Sequence, residues 1–191
     1  MWDDVGYAGV GIESWWLLAP ALALFAIVLA VNAARHRPGW TGSHLLTRGA
    51  VALYLAGVAH FTLFPIDYAL GPRGNQSPWY EQIAPIPLLT ADPASFTLNI
   101  AMLVPFGVLL PLVSTKVLDM RGVALRALAF SAAIETTQLL IYTIARSGRA
   151  VDVNDLLANT LGGLLGYFLL RTLPPLHHLA LPTSPLAPAA R

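Results

Sequence analysis

The chain has 191 residues, of which 56% are hydrophobic and only 11% are charged, and its formal net charge is +1. Soluble domains contain about 25% charged residues, so this composition excludes an ordinary soluble domain and indicates an integral membrane protein. The near-neutral charge argues against a nucleic-acid partner. Because the sequence contains no cysteine, a disulfide framework and a thiolate metal site are both excluded.

Five apolar segments are long enough to cross a bilayer, which takes about 20 helical residues. In chain order they cover residues 15–34, 49–66, 96–118, 123–145 and 153–173. This pattern predicts an all-α protein, a polytopic membrane bundle of about five transmembrane helices. Residues 82–89 are also apolar, but this segment is short and broken by proline, so it is interpreted as re-entrant or interfacial.

The basic residues predict how the bundle is oriented, because cytoplasmic loops of membrane proteins are enriched in Lys and Arg. One side of the predicted membrane has eight of them: Arg35, Arg37, Arg48, Lys116, Arg121, Arg126, Arg171 and Arg191. The other side has three: Arg73, Arg146 and Arg149. The N-terminus is therefore predicted to lie outside and the C-terminus in the cytoplasm.

Seven polar residues lie inside or directly before four of the five predicted helices, and the predicted orientation places these seven in the outer half of the membrane. They are His60, Asn99, Glu135, Gln138, Asp152, Asp155 and Asn159. Ionisable residues are expensive inside a membrane and are functional by default. The sequence therefore predicts a polar pocket near the outer surface, with Arg149 as a neutralising partner in the adjacent loop.

A structural role competes with the functional one at several of these positions. Glu135 and Gln138 would, in that interpretation, form hydrogen bonds within the bundle and only fix the register of the helices. Asp152 suits the N-cap of the fifth helix, where a carboxylate complements the helix dipole. Asp155 lies one turn deeper, where a cap is not needed, so a functional role is favoured there. A lone histidine such as His60 is more often a satisfied core residue than a ligand.

Four motifs follow one another along the chain. They are L-F-P at 63–65, N-x(6)-F-G at 99–107, E-x-x-Q at 135–138, and R-x-x-D-x-x-D-x-x-x-N-x-x-G-G-x-x-G at 149–166. Together they resemble the VanZ-like family of small bacterial membrane proteins over residues 48–173. Residues 1–47 then form an additional N-terminal helix with a basic loop, and the proline-rich residues 174–191 are predicted to be a disordered cytoplasmic tail. Gly162, Gly163 and Gly166 are interpreted as positions where a neighbouring helix packs closely.

The resemblance implies a multi-pass protein of the bacterial cell membrane, surrounded by lipids. The family's namesake lowers susceptibility to teicoplanin, a lipoglycopeptide that targets lipid-linked cell-wall precursors, but the family brings no settled reaction. The favoured hypothesis is a protein that binds a lipid-linked or lipoglycopeptide molecule at the outer leaflet, contributing to glycopeptide resistance or envelope homeostasis. Arg149 and the pocket would contact the head group.

Two alternatives belong to other functional classes. In an intramembrane enzyme, Glu135 would be the general acid or base, and Asp152 and Asp155 would be ligands of Mg²⁺ or Ca²⁺, which prefer oxygen ligands. In a proton-coupled transporter, Glu135 would carry the proton, and five spans would require a dimer, so a homo-oligomer is kept among the candidate partners. No nucleophile–base pair and no cofactor motif is visible in the sequence, so binding is favoured over catalysis.

Overall fold

The computed structural model describes residues 10–40, 42–68, 77–88, 91–146 and 151–187. Within these ranges, five helices are long and apolar enough to cross a membrane. They are α1 (Ser14–Ala34), α2 (Ser43–Leu63), α3 (Pro93–Val113), α4 (Met120–Ala145) and α5 (Val153–Thr172). The predicted all-α membrane bundle is confirmed.

Four very short strands form two small ladders in the described part of the chain. They are β1 (Val10–Ile12), β2 (Ile66–Tyr68), β3 (Ile83–Ala84) and β4 (Val151–Asp152). β1 and β2 pair antiparallel, and β3 and β4 pair parallel. The first ladder joins the start of α1 to the segment after α2. The second joins the α2–α3 connection to the start of α5.

The ends of the helices differ from the sequence prediction at α2 and α3. α2 begins at Ser43 rather than at residue 49, so it includes a polar first turn that a hydropathy window does not detect. α3 begins at Pro93 because the Asp92 side chain accepts a hydrogen bond from the Ser95 N–H at 2.8 Å, and proline suits the first helical position. The same hydrogen bond holds the pKa of Asp92 below its usual value.

α5 lies at the centre of the packed bundle, where it contacts α3 most extensively and α4 next. The contact with α3 is a backbone contact. A Cβ atom added to Gly162 would meet the carbonyl of Ile100, and one added to Gly166 would meet the carbonyl of Val104. Because small residues allow this close approach, α3 and α5 pack at a distance that larger side chains would prevent.

α1 and α2 lie at the edge of this α3–α4–α5 core. α1 packs against α2, and Ser14 is the one buried residue of α1 in the described structure. α2 contacts α3 and α4 less extensively than α5 does. The first helix is therefore an attachment to α2 and contributes little to the core.

Successive helices run in opposite directions, and the two ends of the bundle differ in charge. The acidic end is where α2 and α4 finish and α3 and α5 begin, and it includes Asp92, Glu135, Asp152 and Asp155. The basic end is where α1, α3 and α5 finish and α2 and α4 begin, and it includes Arg35, Arg37, Lys116, Arg121 and Arg171. That the acidic end lies outside the cell stays a prediction from the distribution of basic residues.

The sequence predicted a disordered tail at residues 174–191, and the structure describes a folded segment over residues 174–187. A 3₁₀ helix (Pro174–Leu179) follows α5, and the chain then turns back across the basic end. The Leu181 N–H donates to the carbonyl of Leu112 at 2.8 Å, and the Ser184 hydroxyl donates to the carbonyl of Pro111 at 2.9 Å. These carbonyls belong to the last turn of α3, where no intrahelical donor remains.

Apolar packing explains why this proline-rich segment is ordered. Ala180 is only 1% exposed and lies with Leu112 and Leu170 in one apolar cluster. Leu176, Leu179 and Leu186 pack around that cluster. Proline prevents an α-helix here, but it does not prevent a compact chain from burying leucines.

Candidate functional site

Polar side chains from α3, α4 and α5 come together at the acidic end, in a group that we call the polar cluster. Its members are Asn99, Ser131, Glu135, Asp152, Asn154, Asp155 and Asn159. Of the sequence-predicted site residues, Asn99, Glu135, Asp152, Asp155 and Asn159 are therefore brought together. Ser131 and Asn154 join them.

Asp152 is placed by the short ladder between β3 and β4, in which Ala84 pairs with Asp152. Its side chain accepts hydrogen bonds from the Asn154 backbone N–H at 2.8 Å and from the Asn154 amide at 2.9 Å. Asp152 is thus the N-cap of α5. Its own N–H points to α4 and donates to Glu135 Oε2 at 3.3 Å. One residue therefore connects the loop, α4 and α5.

Asp155 lies in the first turn of α5 and faces α3. Its Oδ1 accepts a hydrogen bond from Asn99 Nδ2 at 2.5 Å. One turn deeper, Asn159 Nδ2 donates to Ser131 Oγ at 2.8 Å, which joins α5 to α4. Asn159 is 1% exposed and Glu135 is 5% exposed, whereas Asp155 is half-buried. The cluster therefore runs from a partly accessible rim into the closed interior.

The cluster concentrates carboxyl groups. Glu135 is within electrostatic range of both Asp155 and Asp152. In the part of the chain that the structure describes, none of these three carboxyl groups forms an ion pair with Lys, Arg or His. Arg149, the predicted neutralising partner, lies outside the described residues. Such a group favours a ligand that brings positive charge or hydrogen-bond donors.

Gln138 and His60 are placed outside this group. Gln138 Nε2 donates to the carbonyl of Thr62 at 2.9 Å and so joins α4 to α2 near the acidic end. His60 Nδ1 lies 2.7 Å from Ser14 Oγ. The exposed His60 ring makes an edge-to-face contact with Phe61. His60 therefore connects α2 to α1 and makes no described contact with the polar cluster.

The metal-ligand alternative finds no compact ligand set. Within the described residues, no group of three or more His, Cys, Asp or Glu side chains is arranged to hold a metal ion. Asp152 Oδ1 already accepts the two hydrogen bonds from Asn154. The role of Asp152 and Asp155 as metal ligands stays a hypothesis from the sequence.

A groove runs beside the cluster, between α2 and α4, and has a volume of about 210 Å³. Its lining is Leu55, Val58, Ala59, Thr62, Leu63, Phe130, Ala133, Ile134 and Thr137. Apart from two threonines these side chains are apolar. Because Thr62 also accepts the hydrogen bond from Gln138, the groove adjoins the helix face that holds Glu135 one turn away.

The connection between α2 and α3 covers part of the acidic end. The buried Tyr142 donates its hydroxyl to the carbonyl of Ser77 at 2.7 Å, and the Leu88 N–H donates to Asn154 Oδ1 at 2.7 Å. Leu88 belongs to the segment predicted to be re-entrant or interfacial, so that segment is joined to α5, and the residues before it are joined to α4. Its position relative to the lipid stays a prediction.

Sequence reasoning missed two members of the cluster, and helical spacing indicates one of them. Ser131 lies four residues before Glu135 and therefore on the same face of α4. Asn154 precedes Asp155 directly. The loop contacts at Ser77 and Leu88 had no such signal, because nothing local in the sequence pairs them with α4 and α5.

Comparison with known proteins identifies the family. The sequence pattern of the VanZ/LLP1 family matches residues 51–174. The match covers every residue of the polar cluster and the groove, and it begins after α1. No curated protein and no solved structure matches the chain. With more than half of its length matched, this multi-pass membrane protein belongs to the VanZ/LLP1 family.

Proposed function

We propose that this protein binds a lipid-linked or lipoglycopeptide molecule, holding its head group at the polar cluster and part of its apolar chain in the α2–α4 groove. The observation that carries the proposal is the concentration of Glu135, Asp152 and Asp155 at one end of the bundle. No basic partner balances them in the described structure. A head group with an ammonium or several hydrogen-bond donors complements that site.

The balance of donors and acceptors also supports a ligand over a purely structural role. In a closed polar network each buried group has a partner. Here the side-chain oxygen of Asn159 is buried and, among the described residues, has no hydrogen-bond donor; the same holds for the oxygen of Gln138, which lies one turn from Glu135 but outside the cluster. Glu135 has one described hydrogen bond, the long one from the Asp152 N–H. Acceptors are therefore in excess, and a bound molecule that brings donors would satisfy them.

The groove contributes orientation more than affinity. Lipid tails are as apolar as leucine, so moving a chain from the bilayer into the groove gains little from the hydrophobic effect. It gains van der Waals packing, and it aligns the chain with the head group. The affinity then depends mainly on the polar cluster, so neutralising an acid there should affect binding more than reshaping the groove.

Binding at the outer leaflet would connect this site to the cell envelope. A protein that retains a lipid-linked precursor or a lipoglycopeptide at the membrane surface limits encounters between the two. We infer that such retention is how this protein contributes to glycopeptide resistance or envelope homeostasis. This step rests on the family and on the predicted orientation.

Neutral substitutions test the proposal. Asp155→Asn keeps the shape of the side chain and its position against Asn99 but removes the carboxyl group. Glu135→Gln likewise replaces the carboxyl group on α4 by an amide of the same shape. Asp92→Asn is the matched control, because Asp92 is an exposed acid at the same end and asparagine is an equally good N-cap. We expect each cluster substitution to weaken binding of fluorescent teicoplanin, or of a fluorescent lipid-linked precursor, to protein in nanodiscs by about tenfold or more.

The control should bind within about twofold of the unmodified protein, and the teicoplanin susceptibility of cells should follow the binding. If Asp155→Asn and Glu135→Gln both insert normally and bind as well as Asp92→Asn, the polar cluster is not the binding site. Metal-dependent turnover of the lipid-linked molecule would instead establish the enzyme alternative.

A further inference from the structure

A second cavity, of about 120 Å³, lies at the basic end, opposite the polar cluster. We call it the basic-end cavity. The last turns of α3 and α5, the turn before α4 and the folded tail enclose it. The residues that matter for its chemistry are Pro111, Lys116, Leu118, Leu170, Arg171 and Leu186. None of them belongs to the polar cluster or to the α2–α4 groove.

The lining combines two cations with an apolar floor. Lys116 and Arg171 are the charged members among the described lining residues, and neither forms an ion pair there. Asp119 is the acid close in sequence, but its side chain accepts the Gly122 N–H at 2.7 Å, which caps α4, and it does not line the cavity. Among the described residues, the positive charge of the cavity is therefore unbalanced.

The tyrosine in the wall does not change this balance. Tyr167 donates its hydroxyl to the carbonyl of Leu118 at 2.9 Å and is buried. Among the described lining residues, the polar side chains left for a ligand are consequently the two cations. Leu118, Leu170 and Leu186 present carbon atoms to the same space.

We propose that the basic-end cavity binds the phosphate of an anionic membrane lipid. Lys116 and Arg171 contact the phosphate oxygens, and the leucines contact the carbon atoms where the acyl chains begin. The volume suits a head-group phosphate, since it equals that of about four waters, and it is too small for a whole lipid. The apolar floor favours a lipid over free phosphate, because an inorganic anion gains nothing from leucine side chains.

The tail completes this site. Pro185 and Leu186 form one wall, and the hydrogen bonds of Leu181 and Ser184 to the end of α3 hold them in place. A lipid that contacts both Arg171 of α5 and the tail binds the folded arrangement better than one with the tail detached. Binding therefore stabilises the packed tail.

The test is a lipid titration of the full-length protein in a nonionic detergent, followed by thermal unfolding. Dioleoylphosphatidylglycerol should raise the unfolding temperature, whereas dioleoylphosphatidylcholine and inorganic phosphate should not. Arg171→Gln and Lys116→Gln should each weaken the apparent affinity for the anionic lipid about fivefold, which is the effect of one surface cation on an anionic lipid. The double variant should weaken it about 25-fold.

Arg35→Gln/Arg37→Gln is the matched control, since both arginines are exposed, lie at the same end and are absent from the lining. It should keep the affinity of the unmodified protein. Equal losses in the control and the double variant would overturn the proposal in favour of diffuse attraction. An equal shift with inorganic phosphate would replace the lipid by a free anion.

The variant Leu186→Glu is a second test of the proposal, and it leaves both cations in place. It places a carboxylate in the wall that the tail forms. It should weaken the apparent affinity for the anionic lipid at least as much as the loss of one cation does. Unchanged affinity in this variant contradicts the placement of the lipid against the tail.

Discussion

The glycines of α5 and α2 have the same chemistry and opposite surroundings. A Cβ atom added to Gly166 of α5 would collide with the α3 backbone, and one added to Gly107 of α3 would collide with the α5 backbone. At Gly49 and Gly57 of α2, an added Cβ would meet no described atom within 4 Å. The contrast distinguishes a helix pair held by close backbone contact from a helix whose glycines make no such contact.

This difference has a physical cause in the membrane. Without a hydrophobic force between helices, association depends on van der Waals contact and hydrogen bonds. α3 and α5 have both, through their glycines and the hydrogen bond between Asn99 and Asp155. α2 has apolar grooves on two sides, one against α4 and a smaller one of about 80 Å³ against α3. The apolar chain of the ligand is therefore proposed to lie beside α2, which packs less closely against α3 and α4 than α5 does.

The largest expected effect comes from adding a methyl group at the close contact between α5 and α3. Gly166→Ala places a methyl group against the carbonyl of Val104, so α5 must move away from α3. Overpacking of this kind costs about 1–3 kcal/mol, and more where backbone is the obstacle. Unfolding of the purified protein in mixed micelles measures it. Gly57→Ala is the control and should be neutral or slightly stabilising, because alanine is the better helix former.

Equal destabilisation by the two substitutions would remove the distinction between α5 and α2. A loss confined to Gly166→Ala sharpens it. The further variant Gly163→Ala then tests the contact with α4, because its Cβ would lie 2.7 Å from the Cβ of Ala127; this overlap is less severe than the one with the Val104 carbonyl, so a smaller cost is expected.

An intermediate effect is expected at the tail, which contacts both α2 and the closely packed α3. The tail contacts α3 through Ser184 and α2 through a hydrogen bond from the Thr47 hydroxyl to the carbonyl of Leu179. Ser184→Ala removes a buried hydrogen bond and should lower the free energy of unfolding by about 1 kcal/mol. Thr183→Ala, at an exposed neighbouring position, is the control. Similar values for both would mean that the tail does not stabilise the bundle.

The smallest effect is expected in α1. Leu24 is 63% exposed, so its side chain faces lipid or detergent rather than protein. Leu24→Ala should change the free energy of unfolding by less than about 0.5 kcal/mol. A decrease of about 2 kcal/mol or more, the range for a buried leucine, would show that α1 is packed against a partner, such as a second copy of the chain.

The sequence predicted those features that depend on local pattern. Five apolar segments, the cap at Asp152 and the glycine face of α5 all follow from spacing within one helix. The convergence of Asn99, Glu135 and Asp155 also followed, because alternating helix direction places these residues at one level. His60 shows the limit of that argument, since residues at one level can face different neighbours, and this ring faces α1.

The contacts of the tail and of the loop between α2 and α3 could not be predicted from the sequence. Ser184 pairs with Pro111 across 73 residues, and Leu88 pairs with Asn154 across 66. No periodicity within either segment specifies such a partner. Proline-rich composition suggested disorder, whereas the unsatisfied carbonyls at the end of α3 provide acceptors that order the chain.

The parallel pairing of β3 with β4 has a mechanical consequence. Together with the Leu88–Asn154 hydrogen bond, it joins the loop after α2 directly to the first turn of α5. If α5 slid along its axis by one helical turn, about 5.4 Å, Asp152 would leave both Ala84 and Glu135. A piston motion of α5 is therefore opposed at its N-cap, Asp152. Any rearrangement on ligand binding should appear as a tilt or displacement of the loosely packed α2, while α5 keeps its height in the membrane.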